Sequence, residues 1–252
     1  MKAKEISSLQ HPLVKHLVRL RENREYRYAC KRLALSGSKL IQELSSQMRL
    51  KTLFLEKGST SVVEADEIYF VTPQILKKIT GLENPEPIAA EIEMPQNPDF
   101  KQVNFLLILD GISDPGNLGT LLRTARALGW DAAYLTTSST DPYNEKAIRA
   151  AKGATFTLPW KSGSVEELHT LLQHKKMTLL AADAAGSDFS SSKTSSPLAL
   201  ALGNEAHGLS SELKQCAKLI GIPMMGRMES LNVATAGAIL MHAFRGSQHE
   251  QR

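Results

Sequence analysis

The chain has 252 residues, of which 42% are hydrophobic, with a formal net charge of +4 and two cysteines. That length allows one large or two modest domains with real cores, and its apolar runs fall far short of the roughly 20 residues that span a bilayer. The opening MKAKEISSLQ has no apolar stretch behind its basic residues, and Cys30 and Cys216 are too few for a disulfide framework or metal site, so a reduced cytoplasmic protein with neither membrane anchor nor metal is expected.

Residues 1–35 hold nine Lys or Arg against three Glu, a local balance of +6, so the remainder sums to −2. The spacing predicts a helix over 12–31, with Leu13, Val14, Leu17 and Leu20 as its apolar stripe and Lys15, Arg19, Arg24, Arg27 and Lys31 recurring every three to five residues. Such a helix can pack on one side and offer cations to a phosphate backbone on the other; a solvated helix face is the alternative reading. There follow a strand near 32–36, a helix near 38–47, a strand near 51–55, short elements over 66–80 and a strand near 88–92. Pro85, Pro87, Pro95 and Pro98 break the pattern, and the chain is expected to divide around residues 95–103 into domains of 1–96 and 97–252.

Beyond that boundary, strands are expected at 104–109, 132–136, 154–158, 177–182, 197–202 and 218–222. Helices are expected at 117–128, 143–151, 164–174, 208–216 and 230–245. Short apolar strands alternating with helices imply an α/β domain with a mainly parallel sheet covered on both faces. Residues 187–196 are Ser-rich and read as a loop, and no internal repeat is present.

Three strand-to-helix passages carry polar residues. Residues 109–129, LDGISDPGNLGTLLRTARALG, run from a strand through a Gly-rich loop, with Asn117 at the helix entrance and Arg123 read as lying on the helix face that also carries Leu121, Leu122, Ala125 and Leu128. Asn117 could serve as an N-cap, and Arg123 as a surface residue lying over the helix. The spacing of Gly111, Gly116 and Gly119 is not G-x-G-x-x-G, and no Lys-Ser or Lys-Thr follows, which disfavours a dehydrogenase or an NTPase. Residues 197–211, PLALALGNEAHGLSS, bring Gly203 and Glu205; residues 220–235, IGIPMMGRMESLNVAT, bring Ser230 and Asn232. Each has a plain structural alternative: a solvated loop acid, an N-cap and a first-turn residue. Loops of this kind emerge at one edge of an α/β sheet and can converge on a ligand.

In order, NLGTLLRTARALG, LALGNEAHGLS and IPMMGRMESLNVATAGAIL resemble the three signature motifs of the SpoU/TrmH family. These are S-adenosylmethionine-dependent RNA ribose 2′-O-methyltransferases of the SPOUT class. The stretch SSLQHPLVKHLVRLRENREYRYACKRLALSGSKLIQEL is similar to the L30e-like substrate-binding domain of members that act on ribosomal RNA, with Ser36-Gly37 where many relatives have E-G, and Ala206-His207 departs from the second motif, where Gly and a variable residue are common. The resemblance implies a small α/β L30e-like domain followed by a parallel-sheet domain whose C-terminal segment forms a trefoil knot. It implies a homodimer and a methyl donor, S-adenosylmethionine, held by Leu202, Gly203, Ile222, Pro223 and Leu231, with Arg123, Asn117, Glu205, Ser230 and Asn232 around the reaction centre. Arg123 is the family's candidate for the ribose 2′-hydroxyl. As a general base a guanidinium would have to lose a proton it holds at any ordinary pH; as an orienting group it would stabilise developing charge on oxygen. His207 is read as a loop residue touching RNA, and His242 as packed or at an interface. The expected substrate is structured RNA, most of all 23S ribosomal RNA. The alternatives are a tRNA ribose methyltransferase and a ribosome-assembly factor that has lost catalysis.

Overall fold

The computed structural model describes residues 4–96, 100, 102–192, 197–226 and 230–246. Contacts divide the chain into two compact units, one of Met1–Gln96 with Tyr143–Glu145, the other of Asn97–Pro142 with Lys146–Arg252.

The first unit runs β1 (Lys4–Ile6), α1 (Pro12–Glu22), α2 (Arg24–Cys30), β2 (Arg32–Ser36), α3 (Ser38–Ser45), β3 (Leu50–Glu56), β4 (Ala65–Val71), α4 (Pro73–Thr80) and β5 (Ile88–Glu93). Its five-stranded sheet has the order β1-β4-β3-β5-β2, parallel where β4 meets β1 and β3, antiparallel where β5 meets β3 and β2. Val14, Leu17 and Leu20 of α1 are buried against Phe54, Tyr69 and the Ile75–Ile79 face of α4. The single helix expected over 12–31 is two helices. Asn23 ends α1 in an extended conformation and its side chain accepts from the Tyr26 N–H, so one residue closes one helix and caps the next.

The second unit runs β6 (Phe105–Asp110), α5 (Pro115–Ala127), β7 (Ala132–Thr136), α6 (Glu145–Ala151), α7 (Ala154–Thr157), β8 (Trp160–Gly163), α8 (Val165–Lys175), β9 (Thr178–Asp188), β10 (Leu198–Gly203), α9 (Ser211–Cys216), β11 (Lys218–Gly221) and α10 (Val233–Gly246). The six strands lie in the order β11-β9-β10-β6-β7-β8, every pair parallel. Every residue of β6 is buried, as are Leu198–Leu202 of β10, which suits a parallel sheet covered on both faces. α10 packs on α5 and β10. At Gly237 a Cβ would come within 2.5 Å of the Leu121 side chain and 2.6 Å of that of Leu202, so any larger residue there would force those side chains to shift.

Several expected elements differ. Residues 154–158 read as a strand from Thr155, Phe156 and Thr157, yet they form the turn α7, and the strand follows Pro159 as β8. β9 extends to Asp188, and Phe189–Ser191 is a 3-10 turn, so part of the Ser-rich 187–196 stretch is ordered secondary structure; 193–196 lie outside the described residues. Helices expected from 117, 208 and 230 begin at Pro115, Ser211 and Val233.

Candidate active site

β6 ends at Asp110, and Gly111 turns the chain with φ +68°. α5 is then capped by Asp114, whose side chain accepts from the Asn117 N–H at 2.8 Å and pairs with Lys146 at 2.7 Å. That lysine, with the Asn117 N–H, holds the Asp114 carboxyl below its ordinary range. Asn117 is therefore three residues inside the helix rather than its cap, and its amide is available for other work.

That amide joins the three loops. Asn117 Nδ2 donates to Glu205 Oε1 at 2.9 Å, and Asn117 Oδ1 accepts from Asn232 Nδ2 at 3.1 Å. Glu205 Oε1 also accepts from the Asp114 N–H at 3.2 Å, and Oε2 from the N–H and hydroxyl of Ser113 at 3.1 and 2.8 Å. Burial works against the charge on Glu205, but the Asn117 amide and the Ser113 donors outweigh it and lower the carboxyl to about 2. Asn232 Oδ1 in turn accepts from the N–H groups of Ala234 and Thr235 at the start of α10. The cap of α10 is thus Asn232, not Ser230.

β10 leads into a tight loop, with Asn204 and Gly208 exchanging two backbone hydrogen bonds of 2.9 Å. Asn204 fixes the loop, its Nδ2 donating to the Gly111 carbonyl at 2.7 Å and its Oδ1 accepting from the Ala206 and His207 N–H groups. A Cβ on Gly203 would lie 2.3 Å from the Gly208 carbonyl carbon, so the loop closes only on glycine. Asp110, buried at the end of β6, accepts from the Ser210 N–H at 2.7 Å and ties the first passage to the second again.

Beside this network lies a cleft of about 590 Å³, within the roughly 300–1,000 Å³ usual for small-molecule sites. Leu202, Gly203, Ile222 and Leu231 line it, with Ser230 and Asn232. Glu205 and His207 reach it from the β10–α9 loop, and Asp183, paired with Lys214 at 2.8 Å, from β9. Pro223, expected to hold the donor, is not among the residues that line the cleft, although Ile222 and Met224 on either side of it are.

Arg123 is placed apart. Leu118, Leu121, Leu122 and Ala125 form the buried side of α5, and Arg123 falls on the exposed side with Thr120 and Arg126. At 100° per residue it shares a face with positions 120 and 127, not with Leu121 or Leu122. The reading of Arg123 on an apolar face is corrected accordingly: it is an exposed cation that makes no hydrogen bond or ion pair among the described residues. Ser230 likewise makes no hydrogen bond among them. His242 is exposed on α10 rather than packed.

Of the five cations expected to meet RNA, Lys15, Arg19, Arg24 and Lys31 are exposed, whereas Arg27 is buried at 3% exposure. The Arg27 Nη1 donates to the carbonyls of Leu20 and Arg21, both at 2.8 Å. It satisfies the last turn of α1 and is withdrawn from any phosphate.

Sequence reasoning missed Ser113, Asp114, Asn204 and Asp183. The first three sit among Gly and Pro in loops, where such residues ordinarily make turns, and only the fold gives them their distant partners. No group of three or more His, Cys, Asp or Glu among the described residues is placed to hold a metal ion. No helix among them is long and apolar enough to cross a membrane.

Residues 104–242 match the SpoU rRNA Methylase family, and residues 11–90 match the MRM3-like substrate binding domain. The chain is 30% identical over 260 residues to the 23S rRNA (guanosine(2553)-2′-O)-methyltransferase RlmP of Bacillus subtilis, an alignment spanning 96% of this chain and 100% of that one. It is 36% identical over 159 residues to the 23S rRNA (guanosine-2′-O-)-methyltransferase RlmB of Pectobacterium atrosepticum, covering 62% of this chain and 65% of that one. The AdoMet-bound rRNA methyltransferase of Sinorhizobium meliloti superimposes with a TM-score of 0.87 at 30% identity, covering 97% of this chain and 98% of that one.

Proposed function

The chain belongs to the SpoU rRNA methylase family, and from that premise we propose that it transfers the methyl group of S-adenosylmethionine to a ribose 2′-hydroxyl of 23S ribosomal RNA. The observation that carries this reading is the hydrogen-bonded chain from Glu205 through Asn117 to Asn232, which stitches three strand-to-helix passages together beside the cleft. The cleft fits the donor in size, and the tight closure at Gly203 leaves backbone groups free of side chains to approach it. Leu202, Gly203, Ile222 and Leu231 would hold it. Bound there, S-adenosylmethionine supplies an electrophilic methyl group on a sulfonium.

The protein's own contribution is positional. In-line displacement demands that oxygen, carbon and sulfur be aligned, and rigid loops supply that alignment. Both Glu205 oxygens are occupied and its carboxyl is held at about 2, so Glu205 is a positioning residue for the loops and a poor acceptor for the 2′-hydroxyl proton. Asn117 and Asn232 are held in turn. Arg123, exposed and without a partner among the described residues, orients RNA and stabilises negative charge developing on the oxygen, while water or another group accepts the proton.

The same reading includes the trefoil knot, a homodimer and a cytoplasmic location. β11 pairs with β9, and a Cβ on Gly221 would stand 3.0 Å from the carbonyls of Asp183 and Gly186, a tight crossing that supports the threading. Ile239 is 38% exposed on α10 near His242, an apolar spot that a second copy would cover. Cys30 and Cys216 are free thiols, in keeping with a reducing compartment. The N-terminal unit is assigned to RNA capture and the C-terminal unit to donor binding and transfer.

The test is direct. Purified protein is incubated with labelled S-adenosylmethionine and 23S rRNA transcript, and 2′-O-methyl positions are mapped by alkaline-resistance sequencing. Label in RNA at a single ribose is the expected result. Calorimetric binding of S-adenosylmethionine with no transfer to 23S rRNA or to ribosomal precursors would overturn the reading.

A further inference from the structure

We propose that Arg19 and Tyr26 form a prebuilt stacking platform for an unpaired RNA base on the N-terminal unit, an inference that rests on the RNA substrate argued above. Past the break at Asn23, α2 packs against α1, and the Arg19 guanidinium carbon lies 4.0 Å from the centre of the Tyr26 ring. Arg19 is exposed, so the guanidinium has the ring on one side and solvent beyond.

The ring is anchored from below by a relay that reaches into the sheet. The Tyr26 hydroxyl shares a hydrogen bond of 2.9 Å with His16 Nδ1, and the two rings meet edge to face at 5.6 Å. His16 Nε2 pairs with Glu91 Oε1 at 3.2 Å, and Glu91 Oε2 accepts from the Thr52 hydroxyl at 3.0 Å. Glu91 is buried on β5 at 8% exposure. Burial works against its charge, but His16 and Thr52 outweigh that and keep the carboxyl below its ordinary range. A relay of His16, Glu91 and Thr52, from three elements, therefore fixes one tyrosine near the surface, and that tyrosine orients one arginine.

Arg24 also lies over a tyrosine, but farther off, 5.6 Å from the Tyr28 ring centre; the remaining arginines nearby are differently used. Arg21 is paired with Glu22, Arg27 closes α1, and Arg32 pairs with Glu93. Arg19 makes no ion pair among the described residues. A phosphate alone needs only a positive point, which a mobile lysine provides. A nucleobase needs a flat, weakly hydrated partner held still, and unpaired RNA bases stack on aromatic rings and on guanidinium planes. The geometry suits a splayed base on the guanidinium face, with the N–H edge left for the phosphate of the same nucleotide.

The experiment uses the full chain and two synthetic RNAs with equal numbers of phosphates, a hairpin with an unpaired purine loop and a fully paired duplex, titrated at several salt concentrations. The wild-type protein is expected to prefer the hairpin. Arg19→Lys retains the charge, so its salt slope stays at the wild-type value while the hairpin preference falls about 5- to 150-fold, the range for loss of one stacked base. Tyr26→Phe keeps most of the preference and Tyr26→Leu loses it. A 2-aminopurine in the loop is quenched on binding wild-type protein and not Arg19→Lys. Wild-type preference in Arg19→Lys overturns the platform even if Tyr26→Leu fails to fold. Failure of the wild-type chain to bind either RNA overturns the RNA reading itself, and the platform with it.

Discussion

In the C-terminal unit, Glu205, Asn117 and Asn232 come from loops 88 and 115 residues apart in sequence, and their side chains bond chiefly to one another and to loop N–H groups. In the N-terminal unit the polar side chains that are withdrawn from water bond to the unit's own framework, Arg27 to the end of α1 and Glu91 to His16 and Thr52. The cations left over, Lys15, Arg19, Arg24 and Lys31, reach solvent. One unit fixes a small concave site to within hydrogen-bond tolerance; the other presents a charged, partly aromatic surface, which the proposed function assigns to RNA. The difference explains how chemistry and capture of one substrate can be divided along one chain.

The largest expected effect lies at Arg123, the cation assigned to the ribose oxygen. Arg123→Ala should lower methyl transfer about 100- to 1,000-fold, the usual scale for removing a group that stabilises charge in the transition state. Because its side chain makes no hydrogen bond or ion pair among the described residues, folding and calorimetric binding of S-adenosylmethionine should be unchanged. Arg123→Lys should also fail, since an ammonium does not reproduce the planar fork. Activity within a few-fold of wild type would return Arg123 to the role of a surface residue.

Arg27 tests the opposite unit. Arg27→Met keeps the bulk but leaves the Leu20 and Arg21 carbonyls without their donor, which should destabilise the chain by about 1–3 kcal/mol in chemical denaturation. The salt dependence of RNA binding should be untouched. A flattened salt slope would show that Arg27 reaches phosphate after all.

The main outline of both units was legible in the sequence because it depends on local signals. Apolar runs such as 105–109 and 198–202 followed by a glycine within two residues mark buried parallel strands and their exits. Where the reading failed, the decisive factor was a competing local choice or a distant partner. The apolar stripe Val14, Leu17, Leu20 gives no hint of a break, yet Asn23 stops α1 by capping α2. Thr155, Phe156 and Thr157 favour a strand intrinsically, but Gly153 and Pro159 confine them to one helical turn. The placement of Arg123 on the exposed side was available from helical periodicity and was obscured by its apolar neighbours in sequence. The partners of Glu205, 91 and 92 residues distant, were not legible at all, because no local pattern encodes a contact between loops.

A division between the units is sharpened by separating them. Residues 97–252 alone should remain folded and dimeric and bind S-adenosylmethionine, while RNA affinity falls about tenfold or more at moderate salt. In the full chain, reversing Lys15, Arg24 and Lys31 should flatten the log–log salt dependence by about 0.7 for each phosphate that is no longer neutralised. The preference for the target nucleotide should survive, since phosphate contacts position RNA while base contacts select the site. Unchanged RNA binding by the fragment would move capture to the C-terminal unit.

The smallest effect, and the most specific, concerns the charge on Glu205. Its carboxyl is held at about 2 in the folded chain, against roughly 4.3 in an unfolded one. A depressed folded value means that the stabilisation is complete above the unfolded value and is lost as pH falls toward 2. The carboxylate is exposed, so solvent screening limits the contribution to about 1 kcal/mol. Glu205→Gln keeps the shape and removes the charge. Urea unfolding at pH 5, 3.5 and 2.5 should therefore show wild type losing its advantage over the variant as the pH drops, and a constant gap between the two would sink the assignment. The same depression bears on the reaction. A carboxylate so weakly basic gains little by taking a proton from a ribose hydroxyl, so any limb of the rate profile between pH 5 and 8 should persist in Glu205→Gln at a lower plateau. If the limb instead disappears with the charge, Glu205 takes part in the proton transfer and is more than the pin that holds the loops together.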